Sequence, residues 1–173
     1  MVAVNHPLAA LAPQDEALTL ATEPIATDAE WQHWFTAWLE ALQVNASPID
    51  CYEVGLQFTD DAAMQQLNAT YRQQDKPTDV LAFAALEDTS PQVQDLLQTE
   101  PLYLGDIIIS LDTAQRQAAE QGHSLRHEAI WLSVHGFLHL LGWDHPDDES
   151  LIKMLEKQAD LLGDIGVMDK KSS

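Results

Sequence analysis

The chain has 173 residues, long enough for one domain with its own core and too short for two independent ones. Eight Lys and Arg stand against 28 Asp and Glu, a formal charge of −20, so the surface repels nucleic acid, lipid headgroups and other polyanions wherever the few cations are not clustered. Nothing approaches a span of about 18 apolar residues, and the opening "MVAVNHPLAALAP" has no basic leader, which points to a soluble, cytoplasmic chain with no membrane partner. The single cysteine, Cys51, has no partner for a disulfide or a thiolate metal site, and reads as a small buried hydrophobe.

Residues 1–15 lack periodicity and read as a poorly ordered leader, followed by a possible first strand near Leu18–Ile25. "DAEWQHWFTAWLEAL", residues 28–42, spaces Trp31, Trp34, Phe35, Trp38, Leu39 and Leu42 as one face of a helix, with Asp28 as its N-cap. "CYEVGLQFT" alternates as a strand, and "DDAAMQQLNATY" opens on acidic residues suited to a helix N-terminus. Pro77 breaks the chain before a third strand, "TDVLAFAAL". "EDTSPQVQDLLQTEP" reads as a polar surface connection, and "LYLGDIIIS" as a strand buried on both faces. "LDTAQRQAAEQ" is a helix stopped by Gly122, and Ser124 can cap the next one, which runs from Leu125 to Leu141 and should be largely buried. "DESLIKMLEKQADLLG" forms a last amphipathic helix with Leu151, Leu155, Ala159 and Leu162 inward, and residues 167–173 read as a frayed tail. Without strict βαβα alternation, these elements describe a single α+β domain over 16–166, with a mixed sheet of about four strands against about five helices.

"HGFLHLLGWDH", residues 135–145, carries the chemistry. His135 and His139 lie four apart on one helix face, and Gly142 stands where a left-handed residue turns the chain so that His145 can return as a third ligand. Three imidazoles leave Zn²⁺ an open fourth position, the arrangement of a catalytic rather than a structural site at the end of a helix. Nickel and copper also suit three imidazoles. The competing explanation is two hydrogen-bonded core histidines with the third capping the next helix, which the ligand spacing disfavours. Asp144 either orients an imidazole or caps the last helix. His6 and His33 look incidental, while His123 and His127 flank a helix start, where capping or a surface position suits them. Zinc peptidases of the HExxH type place a glutamate after the first ligand, and here that position is Gly136, so the base of that mechanism is missing. Zinc can still lower the pKa of water to about 7 without a neighbouring carboxylate.

Arg72 and Lys76, two of the eight cations, fall in one short stretch, "NATYRQQDKPTDVLAF". A guanidinium offers a planar fork for phosphate and an ammonium a point charge, although pairing with one of the many carboxylates is the more ordinary role. In order along the chain, "YRQQDKPTDVLAF", "LGDIIIS", "GHS" at 122–124 and "HGFLHLLGWDH" resemble the YbeY family, bacterial endoribonucleases that mature ribosomal RNA. The resemblance runs from about Cys51 to the final helix. Two departures are Ala84, where the family usually has proline, and a longer loop at 86–101.

The resemblance implies a zinc held by His135, His139 and His145, with His135 and Arg72 as catalytic residues, and Arg72 close to the metal in a cleft. It also implies cleavage of single-stranded RNA, in maturation of the 3′ end of small-subunit (16S) ribosomal RNA and in ribosome quality control. Arg72 and Lys76 would bind that substrate, and the small ribosomal subunit, a ribosomal protein or an assembly factor would be the partner. A pI near 4.3 runs against RNA binding, unless the metal, Arg72 and Lys76 make the cleft locally positive and docking supplies the affinity. A metallopeptidase-like hydrolase and a non-catalytic assembly factor with a structural zinc are the alternatives.

Overall fold

A computed structural model describes residues 2–5, 25–85 and 90–166. Four strands, β1 (Val2–Asn5), β2 (Tyr52–Thr59), β3 (Val80–Ala84) and β4 (Leu102–Ser110), form one sheet in the order β1-β2-β4-β3. β2 runs parallel to both β1 and β4, whereas β3 is an antiparallel edge strand on β4. The helices are α1 (Asp28–Ala41), α2 (Asp61–Arg72), α3 (Pro91–Leu96), α4 (Leu111–Gln121), α5 (Leu125–Leu140) and α6 (Asp148–Asp164). The mixed sheet and α+β class are those the sequence implies.

The first strand differs from expectation. β1 lies within the stretch taken as a leader, where four residues are too few to show periodicity, and its place comes from parallel pairing of Val2 with Tyr52 through Asn5 with Gly55. The strand expected near Leu18–Ile25 falls outside the described residues except for Ile25, as does the tail at 167–173. The connection after β3 carries a short helix, α3, started by Ser90 with Pro91 in its first turn.

α1 begins one residue earlier than Asp28 suggested. Thr27 is its N-cap: the Glu30 amide donates to Thr27 Oγ1 at 3.1 Å and the Thr27 amide to Glu30 Oε1 at 3.2 Å. Asp28 could not close this reciprocal box, because the residue three beyond it is Trp31. The aromatic stripe of α1 is core, as expected: Trp31, Trp34, Phe35 and Trp38 are buried, and Phe35 meets Phe137 edge-on at 5.1 Å between centroids.

Alternation along β3 and β4 sorts the helices onto two faces. Val80, Ile107 and Ile109 join the main core with α1, α5 and α6, while Leu81 and Ile108 pack with Met64 of α2 on the other side. α5 packs tightly on the sheet at Gly136, where an added Cβ would stand 2.7 Å from Ile107 Cγ2 and 3.3 Å from Val80 Cγ2. Only a residue without a side chain fits there. The inward face of α6 is the expected one at Leu162 but not at Leu155 and Ala159. Met154, Gln158, Leu161 and Leu162 are buried, whereas Leu155 is 40% exposed and Ala159 lies outside. Trp38 Nε1 donates to the Leu161 carbonyl at 3.2 Å, an anchor between helices that no periodicity encodes. Cys51 is only partly buried.

Gly136→Ala should lower stability despite the better helix propensity of alanine, because the intruding methyl meets the stiff branched carbon of Ile107. The overpacking cost of about 1–3 kcal/mol exceeds the roughly 1 kcal/mol gained in propensity. Urea unfolding of the metal-free protein should show an earlier midpoint, and an unchanged or later one would contradict this contact.

Candidate metal centre

α5 is buried around most of its circumference, including Ile130, Val134, Phe137 and Leu138 at 0% exposure. Its less buried strip is His127, Trp131, His135 and His139, each four residues after the last. Two imidazoles are thereby held on the open side of a helix that the core otherwise immobilises.

The third histidine arrives through the end of that helix. Gly142 adopts φ +94°, and the Trp143 amide donates to the Leu138 carbonyl at 3.0 Å while the Gly142 amide donates to His139 at 3.0 Å. This pair of bonds closes the helix and reverses the chain. His145 comes back over His135 and His139, at ring centroid distances of 5.7 and 5.4 Å. One nitrogen from each of the three lies within 4.8 Å of the other two, a group able to hold a metal ion. His135 and His139 aim their Nε2 atoms at each other across 3.1 Å. Two imidazole lone pairs so placed suit two ligands of one cation.

His135 is held from behind. Its Nδ1 lies 3.1 Å from Oε1 of Gln158, whose side chain is wholly buried on α6. Gln158 Nε2 has no hydrogen-bond partner among the described residues, and leaving a buried donor unmade costs about 1–3 kcal/mol. The sequence reading missed this residue. The signal was present in the Met154, Gln158, Leu161 and Leu162 spacing, which puts a glutamine on an otherwise apolar stripe.

Asp144 is not the cap of α6. Its Oδ1 accepts from the amide of His145 at 2.8 Å, so it braces the turn backbone, and α6 is capped by Asp147, which accepts from the Ser150 amide at 2.7 Å. His123 pairs with the buried Glu128, and its ring lies 4.4 Å from that of His127, whose amide donates to the Ser124 N-cap at 3.0 Å. His33 is exposed on α1, and His6 lies outside the described residues. Gly136 faces the sheet, so a side chain at the position after His135 would start out against Ile107.

Arg72 and Lys76 are exposed, Arg72 at the last turn of α2 and Lys76 in the loop that follows. That loop is held in shape by Gln73 in a left-handed conformation and by Asn68 Nδ2, which donates to the Lys76 carbonyl at 2.8 Å. Arg116, Arg126 and Lys153 are engaged by Asp61, Glu30 and Glu149. Among the described residues Arg72 and Lys76 have no carboxylate partner, contrary to the ordinary role for such cations. Neither shares a hydrogen bond with the histidines among the described residues. Their loop runs into Val80, the strand residue that faces Gly136 beside His135.

A family model described as Endoribonuclease YbeY matches residues 18–166. The chain belongs to the YbeY family. The match begins well before Cys51, where the recognisable motifs start. Proteins named Endoribonuclease YbeY are similar to it along most of its length. One from a Nostoc species is 60% identical over 139 residues, 80% of this chain and 75% of that one. Another, from a Synechocystis species, is 55% identical over 136 residues, 79% of this chain and 76% of the relative. The solution structure of a Thermotoga maritima protein aligns along 100% of both chains with a TM-score of 0.52 at 19% identity, a likeness of fold. No described helix is long and apolar enough to cross a membrane.

His139 titrates below the ordinary histidine range because burial disfavours its charged form, and because charge on His135 or His145 would oppose it; Asp144 and the Trp143 backbone pull weakly the other way. It therefore stays neutral, the ligand form, into mild acid. With the folded value below the unfolded one, the unfolded chain binds more protons as pH falls from about 6.5, so the metal-free protein should lose stability there. Urea unfolding in chelator across this range should show that loss, and His139→Gln should shrink it; equal slopes for the two proteins would contradict the assignment.

Proposed function

We propose that this chain is a zinc-dependent endoribonuclease that cuts single-stranded RNA, in maturation of the 3′ end of small-subunit ribosomal RNA and in ribosome quality control. The observation that carries the reading is a three-histidine group able to hold a metal, in a chain that the Endoribonuclease YbeY family model matches over 18–166. The catalytic unit would be the domain over 16–166, acting in the cytoplasm with the small ribosomal subunit, a ribosomal protein or an assembly factor as partner.

Zinc fits the donor set. The site has nitrogen ligands of borderline softness and no thiolate, and three protein ligands leave a position open for chemistry. His135, His139 and His145 would hold it, and when bound it supplies a Lewis acid to polarise a phosphoryl oxygen or water. The protein supplies the rest. Arg72, unclaimed by any carboxylate among the described residues, has its fork of donors available for charge developing on the phosphoryl oxygens. Lys76, on the same hydrogen-bonded loop, would hold a neighbouring phosphate. Together with the metal they would make a positive spot on a surface whose net charge of −20 repels RNA everywhere else. Docking on a ribosomal partner would supply the remaining affinity.

The peptidase alternative is disfavoured by packing as well as by sequence, since the position after His135 has no room for a base.

Arg72→Ala should reduce cleavage of single-stranded RNA by about 100-fold or more, the scale of one lost charge-stabilising group, with zinc content unchanged. Loss of zinc in that variant would make Arg72 structural instead. His135→Ala should lose both metal and cleavage, and retained cleavage would remove the metal from the mechanism. Activity must co-purify with the protein through repeated chromatography, with unstructured peptide as the negative substrate; activity that separates from it would leave the non-catalytic assembly factor.

A further inference from the structure

A fully buried glutamine on the inner face of α6 calls for an explanation that packing does not supply. Its neighbours on that face, Met154, Leu161 and Leu162, are apolar, and the helix is already anchored to the core through Trp38 and the Leu161 carbonyl. Leucine or methionine would fill the same space without burying an amide. The amide nitrogen gains nothing there, since Gln158 Nε2 has no partner among the described residues. The amide oxygen meets one group, His135 Nδ1, at 3.1 Å.

We propose that Gln158 is a positioning residue of the metal centre: its Oε1 accepts from His135 Nδ1–H and so fixes the tautomer whose Nε2 lone pair faces the metal position. The chemistry follows from the imidazole itself. A neutral ring carries one proton, and an acceptor held at Nδ1 keeps it there, leaving Nε2 as the ligand atom. That nitrogen is the one facing His139 Nε2 at 3.1 Å. With the amide turned over, Nε2 of Gln158 would donate to Nδ1, the ring proton would sit on Nε2 of His135, and the ligand would be lost. The oxygen-inward orientation therefore gives His135 its competence and leaves Gln158 Nε2 unsatisfied. The same contact fixes the rotation of the ring about its own axis, which a helix backbone alone does not. Outer partners of this sort are worth about 10–100-fold in metal affinity.

The proposal rests on the metal-centre reading above, and the experiment separates the two. The full chain, stripped of metal, is compared as wild type, Gln158→Met and Gln158→Glu. Methionine keeps the volume and removes the acceptor, and glutamate keeps an acceptor. Zinc affinity is measured by competition with a chromophoric chelator, thermal unfolding is followed without metal, and long-range proton–nitrogen NMR reports which ring nitrogen of His135 carries the proton. Wild type should bind one zinc and hold His135 as the Nδ1–H tautomer without metal. Gln158→Met should bind zinc about 10–100-fold more weakly, melt no earlier than wild type without metal, and show a mixed tautomer. Gln158→Glu should recover most of the affinity. If Gln158→Met binds zinc as tightly as wild type, the positioning role is wrong. If it binds weakly but also melts earlier, and glutamate does not rescue it, Gln158 is merely structural and the proposal again falls. A wild type that takes up no zinc overturns the metal reading beneath it.

Discussion

The close seating of α5 on the sheet is the constraint on which everything else depends. At Gly136 the helix comes so near Ile107 and Val80 that a methyl group would not fit. The rest of the helix is wrapped by aromatic and aliphatic contacts, Phe137 against Phe35 and Trp38 among them. A helix gripped in this way has one side left to offer, and that side carries His135 and His139. Rigidity for the metal centre thus comes from the core rather than from a network of surface bonds. A ligand pair on a core helix loses little side-chain freedom on binding an ion, because packing has already removed most of it.

The centre is completed by two short-range devices of opposite character. Gly142 accepts a left-handed backbone that few residues tolerate, and this sends His145 back over the helix end. Gln158 reaches across from α6 and fastens the far side of His135. The first device works on the path of the chain and the second on the orientation of a ring. Asp144, adjacent to a ligand, serves the first by accepting from the His145 amide.

Charge is unevenly shared in this molecule, with eight Lys and Arg against 28 Asp and Glu. Three of the six described cations are tied to carboxylates: Lys153 to Glu149 within α6, Arg116 from α4 to Asp61 on α2, and Arg126 from α5 to Glu30 while lying over Trp34 at 5.1 Å. The two arginine pairs brace helices against each other. Arg72, in the last turn of α2, and Lys76, in the loop after it, stand apart; that loop is shaped by Asn68 and by its own backbone bonds. Among the described residues Arg72, Lys76 and Lys157 have no carboxylate partner, and the first two lie just ahead of the strand that packs on α5.

The sequence by itself determined the three-histidine group, most helices, three of the four strands and the family, because these are written in local spacing. Histidines four apart must share a helix face, a glycine past the helix must turn, and the alternation in "CYEVGLQFT" and the apolar β-branched run in "LYLGDIIIS" make strands. It also marked Arg72 and Lys76 as the cations to watch, through motif resemblance. Only the tertiary structure decided the remainder. β1 is too short to announce itself and exists through pairing with β2. The inward face of α6 could be read in two registers, and contacts with Trp38 and His135 chose the one that buries Gln158 and exposes Leu155. The meaning of Gly136 likewise changed, from a missing base to a point of helix–sheet contact. The physical reason is common to all three. Each depends on what lies opposite a residue in space, and periodicity along one chain says which side a residue is on without saying what waits there.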